Sequence, residues 1–206
     1  MSDPFRILVV CTGNICRSAQ AEQLIRARIA ERFPLLKPAV VVESAGTRAM
    51  VGSDMPTEAA AGSVRYGGSP AGHSGCQLTM GHVRRADLVL GMATEHRSAV
   101  VRLLPRSSRI AFTLTEFAAL LESAGKILAV PPAGFSTLDA ADKLRSGVKW
   151  AAARRGYLAV EEGSPVDVVD PYRRSQKTYE ESARQIVEAL NDIESTAMHL
   201  AERLRA

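Results

Sequence analysis

A cysteine and an arginine lie six positions apart, directly after an apolar run near the start of the sequence. The run covers residues 5–10, and the segment from Cys11 to Ser18 reads Cys-Thr-Gly-Asn-Ile-Cys-Arg-Ser. A loop of this length can bend around one tetrahedral anion, with backbone N–H groups pointing inward and the Arg17 guanidinium closing the ring. The spacing therefore predicts a phosphate-sized anion site with a nucleophilic sulfur at its floor.

The residue types inside this segment fit that chemistry. Cys11 is expected to be a thiolate at neutral pH, because a helix N-terminus, inward N–H groups and a nearby arginine all favour the anion. Gly13 permits a close approach to the ligand, and Asn14 tolerates the left-handed backbone conformation that such loops need. The predicted anion-binding residues are Thr12, Gly13, Asn14, Ile15, Cys16, Arg17 and Ser18.

Expulsion of a poor leaving group also requires a proton donor. Asp170 is the only plausible donor in a comparable loop, and Pro171 after it favours an extended backbone at that position. We therefore predict Cys11, Arg17 and Asp170 as the catalytic residues, acting as nucleophile, oxyanion-binding group and general acid.

These two sites together resemble the low-molecular-weight protein tyrosine phosphatases of the bacterial type. In that family the Cys-x5-Arg-Ser loop follows an N-terminal strand, and an Asp-Pro-Tyr sequence precedes a C-terminal helix. Further segments at residues 43–47, 72–74 and 86–92 fall in the family's order. The resemblance covers about residues 5–121 and 164–204.

The resemblance implies an enzyme that hydrolyses phosphotyrosine and aryl phosphates through a cysteinyl-phosphate intermediate, with no cofactor. It implies that Met50 and Tyr172 form the wall of the substrate pocket. Aromatic residues are common at both positions in the family, so Met50 is a departure. It also implies that His73 braces Ser44 and Asn14 beneath the loop. The Ser18 hydroxyl, by its own chemistry, can donate a hydrogen bond to the Cys11 sulfur.

Two residues keep alternative roles. Cys16 matches the family's second cysteine, and the resemblance favours a disulfide with an oxidised Cys11 over the alternative of a small buried residue. Glu22 lies where the family carries glutamate and either reads the substrate or pairs with Arg26 at the i+4 spacing. Cys76 has no partner at metal-ligand spacing, and we predict no metal.

The main rival function is arsenate reduction on the same scaffold. That chemistry needs two further cysteines near the third strand, and residues 90–93 contain none. Cys76 alone cannot complete the relay. A phosphate-binding protein without catalytic activity is a weaker third hypothesis, because all three predicted catalytic residues are present.

Composition indicates a globular chain with one domain over residues 1–206, since 46% of its 206 residues are hydrophobic and 23% are charged. No apolar run reaches the roughly 18 residues that a membrane helix needs. Its three cysteines form no disulfide framework, so we expect a cytoplasmic location and no membrane partner.

The net charge of +4 comes from dispersed basic residues, so nucleic-acid binding is not expected. Arg48, Arg173 and Arg174, which the resemblance places near the pocket, either favour an acidic substrate or are solvated surface charges. The resemblance implies a phosphotyrosine protein as partner, with a bacterial tyrosine kinase as one candidate, and a monomer or weak dimer.

Alternating short apolar runs and longer amphipathic stretches predict a four-stranded parallel sheet flanked by helices, the phosphotyrosine protein phosphatase I-like fold. In such sheets ligands bind at the carboxyl ends of the strands, where Cys11 falls. Strands are predicted near residues 5–10, 39–43, 87–91 and 109–112, and helices near 17–32, 55–65, 94–104, 114–123 and 175–204.

One segment, at about residues 124–163, departs from the family as an insertion before the Asp170 loop. It contains a predicted helix near 138–155 that includes Trp150. Three roles remain open for it: a lid beside the pocket, a partner surface, or a packed excursion.

Overall fold

The protein is described by a computed structural model that covers residues 3–128, 134–157 and 167–203. Four parallel strands form one sheet in the order β2-β1-β3-β4. The strand that ends in the nucleophile is therefore central, with neighbours on both sides. The strands are β1 Phe5–Cys11, β2 Val40–Gly46, β3 Leu88–Gly91 and β4 Ala111–Thr113.

Helices connect the strands and close the chain. They are α1 Arg17–Arg32, α2 Thr57–Arg65, α3 Met80–Arg85, α4 Thr94–Leu103, α5 Leu114–Ile127, α6 Ala140–Ala153 and α7 Gln176–Arg203. The predicted fold class is confirmed, with α3 as an additional short helix. Helix α5 continues to Ile127, past the predicted end near 123.

The sheet separates two apolar layers, because successive strand residues point to opposite faces. On one face Val9 and Phe112 pack with Leu24 of α1 and Ile186 of α7. On the other face the core contains Leu8, Val10, Val83, Val89 and Val100, from β1, β3, α3 and α4. Both layers fix the carboxyl end of β1, where the candidate nucleophile lies.

Helix α6 belongs to the main core. Its residues Ala141, Val148 and Ala151 are buried in the same cluster as the sheet. Arg145 Nε lies 2.9 Å from Asp87 Oδ1, and its Nη2 donates to the Asp3 carbonyl at 2.8 Å. Asp87 and Asp3 precede β3 and β1, so this contact is at the amino edge of the sheet, opposite Cys11.

Arg155, two residues after the end of α6, also contacts the sheet. The Arg155 guanidinium donates to the Ala111 carbonyl at the start of β4 and lies 3.9 Å from the centre of the Phe112 ring. These contacts place α6 in the core and away from the pocket. Among the three roles left open for the insertion, they match a packed excursion. No helix within the three described ranges is both long and apolar enough to cross a membrane.

Candidate active site

The Cys11–Ser18 loop connects the end of β1 to the start of α1 at Arg17. Cys11 is 2% exposed, so its sulfur lies at the bottom of the loop. Asn14 has a φ of 56°, the left-handed conformation expected from its residue type. The loop therefore turns back on itself above the sulfur.

Two donors face the Cys11 sulfur. The Ser18 hydroxyl lies 2.9 Å from Sγ, and the Asn14 backbone N–H donates to Sγ at 3.2 Å. Both groups can donate to the sulfur, and hydrogen bonds of this kind are strongest when the acceptor is ionised. The geometry thus supports a reactive sulfur.

Asn14 holds the loop from below. Its amide nitrogen donates to Ser18 Oγ at 2.9 Å and to Ser44 Oγ at 2.8 Å, and its amide oxygen accepts the Cys76 N–H at 2.8 Å. His73 Nε2 lies 2.7 Å from the Asn14 carbonyl oxygen. The predicted supporting residues are brought together, with His73 and Ser44 meeting through Asn14.

Glu22 lies beneath this network. Its Oε2 accepts the Ser44 hydroxyl, and its Oε1 lies 2.7 Å from Arg26 Nη2. The carboxylate is buried and does not line the pocket. These are the contacts of the ion-pair alternative, with Arg26 as the partner, and the same carboxylate also orients Ser44.

The end of β2 passes very close to the loop at Gly46, which pairs with Cys11 across the sheet. A Cβ at this position would lie 2.5 Å from the Thr12 carbonyl oxygen. Only glycine fits there without moving the anion-binding backbone, so substitution would disturb the loop directly.

Asp170 reaches the site from a segment that we call the acid loop, residues 167–175, between the insertion and α7. Its Oδ2 lies 2.8 Å from Arg17 Nη2, although 151 to 153 positions separate the two segments. Arg17 is buried, whereas the Asp170 side chain is 53% exposed. Arg17 Nη1 also donates to the Val168 carbonyl at 3.1 Å, so one guanidinium contacts the acid loop twice.

A cavity of about 150 Å³ opens above the sulfur. Met50 and Tyr172 lie in its wall, as the resemblance implied. Arg48 also lines it, whereas the Arg173 guanidinium lies 5.1 Å from the centre of the Tyr172 ring. The lining residues are Cys11, Thr12, Gly13, Ile15, Cys16, Arg17, Arg48, Met50, Asp170 and Tyr172.

Cys16 packs in an apolar cluster behind the loop, against Ile15, Met55 and Tyr179. Burial raises the pKa of its thiol to about 12, and the nearby Cys11 charge adds to the effect. Cys16 is therefore a neutral thiol at physiological pH, which leaves Cys11 as the nucleophile of the loop.

His96 is a site residue that no sequence pattern singles out. It lies in the first turn of α4 and is 1% exposed. Its Nε2 is 2.9 Å from Thr12 Oγ1, whereas its Nδ1 has no hydrogen-bond partner among the described residues. Burial first, and then the Arg17 charge, lower its pKa to about 4. A neutral imidazole thus contacts Thr12, the residue that follows Cys11 in the loop.

We expect replacement of His96 by asparagine to reduce the acid sensitivity of folding. The unfolded chain binds a proton on this histidine near pH 6.5, while the folded chain resists it down to about pH 4. Protonation therefore favours unfolding, and the stability contributed by neutral His96 is lost as pH falls through that window. Denaturant unfolding at pH 7.5 and 5.0 measures the difference.

The exposed His199 on α7 supplies the control. His199→Asn should keep the wild-type loss of stability between the two pH values. Equal losses in wild type and His96→Asn would show that His96 does not remain neutral in the fold.

No three His, Cys, Asp or Glu side chains in the described ranges lie close enough together to hold a metal ion. The site instead brings together the Cys11 sulfur with its two hydrogen-bonding neighbours, the Arg17 guanidinium and the Asp170 carboxyl group around one small cavity. This arrangement is typical of a phosphate-ester-cleaving cysteine site on a parallel α/β sheet.

Comparisons with known proteins agree with that class. The family model described as low molecular weight phosphotyrosine protein phosphatase matches residues 6–131. The chain is 41% identical over 99 residues to the low molecular weight protein-tyrosine-phosphatase Etp of Escherichia coli, covering 48% of this chain and 62% of that relative. It is 36% identical over 114 residues to a protein-arginine-phosphatase of Geobacillus stearothermophilus, covering 55% of this chain and 72% of that relative.

A solved low molecular weight protein tyrosine phosphatase from T. tengcongensis superposes with a TM-score of 0.64 at 25% identity, covering 93% of this chain and 98% of the other. The chain therefore belongs to the low molecular weight phosphotyrosine protein phosphatase family. The matched region includes the nucleophile loop and ends before Asp170, so the role of the acid loop depends on the geometry of this chain.

Proposed function

We propose that this protein is a protein tyrosine phosphatase that hydrolyses phosphotyrosine and aryl phosphates through a cysteinyl-phosphate intermediate. One observation carries the proposal. The Cys11 sulfur lies at the floor of a cavity of about 150 Å³ whose wall contains both Arg17 and Asp170. Nucleophile, anion receptor and proton donor thus face the same space.

In the first step the Cys11 thiolate attacks phosphorus, and the phosphorus–oxygen bond to the phenol breaks. The Arg17 fork and the loop N–H groups hold the equatorial oxygens. Asp170 gives its proton to the departing phenolate. Arg17 pairs with Asp170, so an arriving phosphate competes for that guanidinium and frees the carboxylate. The freed carboxylate takes up a proton from solvent and then faces the leaving oxygen as the acid.

In the second step water hydrolyses the cysteinyl phosphate. Asp170, now ionised, takes a proton from water as its oxygen bonds to phosphorus, and the phosphorus–sulfur bond breaks to return the Cys11 thiolate. The products are phenol and inorganic phosphate. Every proton is carried by Asp170, so the cycle requires no cofactor.

The depth of the site favours an aromatic ester. Cys11 is nearly fully buried, and Met50 and Tyr172 stand in the wall above it. A phenyl ring spans that depth, whereas a phosphoserine side chain is too short to present its phosphorus to the sulfur. Phosphoarginine is the second candidate, because one relative is named a protein-arginine-phosphatase. Arsenate reduction is not favoured, since Leu90–Ala93 supplies no cysteine for a relay.

Steady-state kinetics on matched peptides tests this order. We expect the highest kcat/KM for a phosphotyrosine peptide, with a phosphoserine peptide close to background. A higher kcat/KM for a phosphoarginine peptide would assign the second candidate. Arsenate-dependent oxidation of thioredoxin without phosphate release would contradict both.

The proposed partner is a phosphotyrosine protein in the cytoplasm, where a reducing environment keeps Cys11 available. A bacterial tyrosine kinase is a candidate, and the enzyme acts as a monomer or weak dimer. Capture of phosphotyrosine proteins by a Cys11→Ser variant, followed by their identification, tests the partner. Sedimentation at several concentrations measures the assembly state.

We further propose that Cys16 protects oxidised Cys11. Peroxide converts the Cys11 thiolate to a sulfenic acid, and the Cys16 sulfur then attacks it, forming a disulfide and releasing water. The Cys11 charge helps to keep Cys16 protonated, so oxidation of Cys11 removes one cause of its raised pKa. Disulfide formation should therefore follow oxidation and accelerate as pH rises.

We expect peroxide-treated wild type to regain most of its own starting activity with a thiol reductant. Cys16→Ser should regain little, because its sulfenic acid proceeds to irreversible acids. Peptide mass mapping should find the Cys11–Cys16 crosslink in wild type. Equal recovery in both proteins without that crosslink would make Cys16 a packing residue.

A further inference from the structure

Proton transfer by Asp170 depends on where the acid loop is held. A general acid acts only within hydrogen-bond reach of the leaving oxygen. The Asp170 side chain is more than half exposed, so packing alone does not fix it. Its contact with Arg17 is the one with which an arriving phosphate competes, so contacts elsewhere in the acid loop must set its distance from the nucleophile.

The first such contact is made by Asp167, at the start of the acid loop. Its Oδ1 accepts the Thr94 backbone N–H at 2.7 Å and the Thr94 hydroxyl at 2.8 Å. Ala93, which precedes α4, provides no side-chain cap. Asp167 therefore caps α4 from 73 positions away in sequence, in the place where an acidic side chain is most favourable.

Backbone bonds continue this contact to the nucleophile strand. The Val168 N–H donates to the Met92 carbonyl at 2.8 Å, and the Met92 N–H donates to the Val10 carbonyl at 2.8 Å. Val10 directly precedes Cys11. The segment that precedes α4 thus connects the acid loop through two backbone hydrogen bonds to β1, next to Cys11.

A second anchor comes from α7. The Val169 N–H donates to Gln185 Oε1 at 2.8 Å, and Gln185 Nε2 donates to Glu181 Oε1 at 3.0 Å. The second bond fixes which end of the amide faces the loop. Asp170 is therefore preceded by three consecutive residues, 167–169, that are each held by a separate partner.

We propose that Asp167 is a positioning residue for proton transfer by Asp170, with Gln185 as the second anchor. This inference rests on the proposed phosphatase function. Asp167 acts through geometry: both bonds from Thr94 end on the same oxygen. An asparagine can keep that oxygen as acceptor, whereas an alanine cannot.

The test uses aryl phosphates that differ in their leaving groups. Departure of a basic phenolate needs a proton, whereas departure of dinitrophenolate does not. In Asp167→Ala we expect kcat/KM to fall about tenfold for phenyl phosphate and less than about twofold for dinitrophenyl phosphate. Asp167→Asn should stay within about twofold of wild type on both substrates.

Asp139 provides a matched control. It caps α6 by accepting the Asp142 N–H at 2.9 Å, and this helix lies at the amino edge of the sheet. Asp139→Ala removes the same kind of cap and should leave the ratio of kcat/KM between the two substrates unchanged. Gln185→Ala, at a partly exposed position, should show the same leaving-group dependence as Asp167→Ala.

The outcomes separate this inference from the proposed function. An equal fall on both substrates, or no fall on either, in Asp167→Ala and Gln185→Ala would overturn the positioning role. A fall in Asp167→Asn as large as in Asp167→Ala would assign the effect to charge and also overturn it. If the wild type hydrolysed neither substrate, the phosphatase function itself would instead be rejected.

Discussion

Replacement of Cys11 by serine is expected to reduce kcat for aryl phosphate hydrolysis by at least about 10⁴-fold. The serine keeps the size of the side chain and the ring of donors, but a neutral hydroxyl is a far weaker nucleophile than a thiolate. Release of inorganic phosphate from nitrophenyl phosphate, followed over hours at high enzyme concentration, measures the loss.

The variant should still fold and bind vanadate or phosphate, because Arg17 and the loop N–H groups remain. Cys76→Ser is the matched control, since that thiol is exposed and its contact with Asn14 is made by the backbone N–H. Wild-type turnover in Cys11→Ser would reject the covalent mechanism. Loss of turnover in Cys76→Ser would show that serine substitution disturbs the loop in general.

The parts of this site that can be predicted from sequence are local. The loop from Cys11 to Arg17 is continuous, directly follows a buried strand, and contains the residue types that a tight anion-binding turn requires. Asn14 illustrates this, because its tolerance of positive φ follows from its side chain and the structure uses it in that way. The sheet is predicted on similar grounds, since short apolar runs alternate with amphipathic helices.

The parts that escape prediction depend on contacts between distant segments. His96 lies 84 positions from Thr12, and a single histidine in a helix carries no periodic signal. Asp167 caps a helix that begins 73 positions earlier, so no local capping pattern exists to detect. Helix α3 is missed for another reason: its six residues are too few for a 3.6-residue period, and its capping box uses His82 where a glutamate or glutamine is usual.

Strand β2 is predicted in part from local sequence, while its carboxyl end depends on contacts with a distant strand. Its predicted end lies near residue 43, whereas the strand continues to Gly46. The last three residues are small and are not β-branched or aromatic, so their types do not indicate a strand. They are nevertheless part of β2, because they pair with β1 up to Cys11. Pairing across the sheet thus places Ser44 and Gly46 beneath the nucleophile loop.

Arg17 has two duties that a positive charge alone cannot perform. One nitrogen of its guanidinium contacts Asp170 and the other donates to the Val168 carbonyl, so the planar fork connects the acid loop to the nucleophile loop, and in the proposed mechanism it also binds the phosphate. A lysine ammonium is a point charge with no fixed fork. Arg17→Lys should therefore weaken phosphate binding and the position of the acid together.

We expect Arg17→Lys to lower kcat/KM for nitrophenyl phosphate by about 10²- to 10³-fold, the cost of losing a preorganised oxyanion donor. Arg184→Lys is the matched control, because Arg184 is an exposed residue of α7 that pairs with Glu181 and Glu188. That variant should stay within about twofold of wild type. A cooperative thermal transition in both variants establishes that they are folded. Near-wild-type kcat/KM in Arg17→Lys would mean that charge alone holds the phosphate, and the two-contact geometry of the guanidinium would then be irrelevant to catalysis.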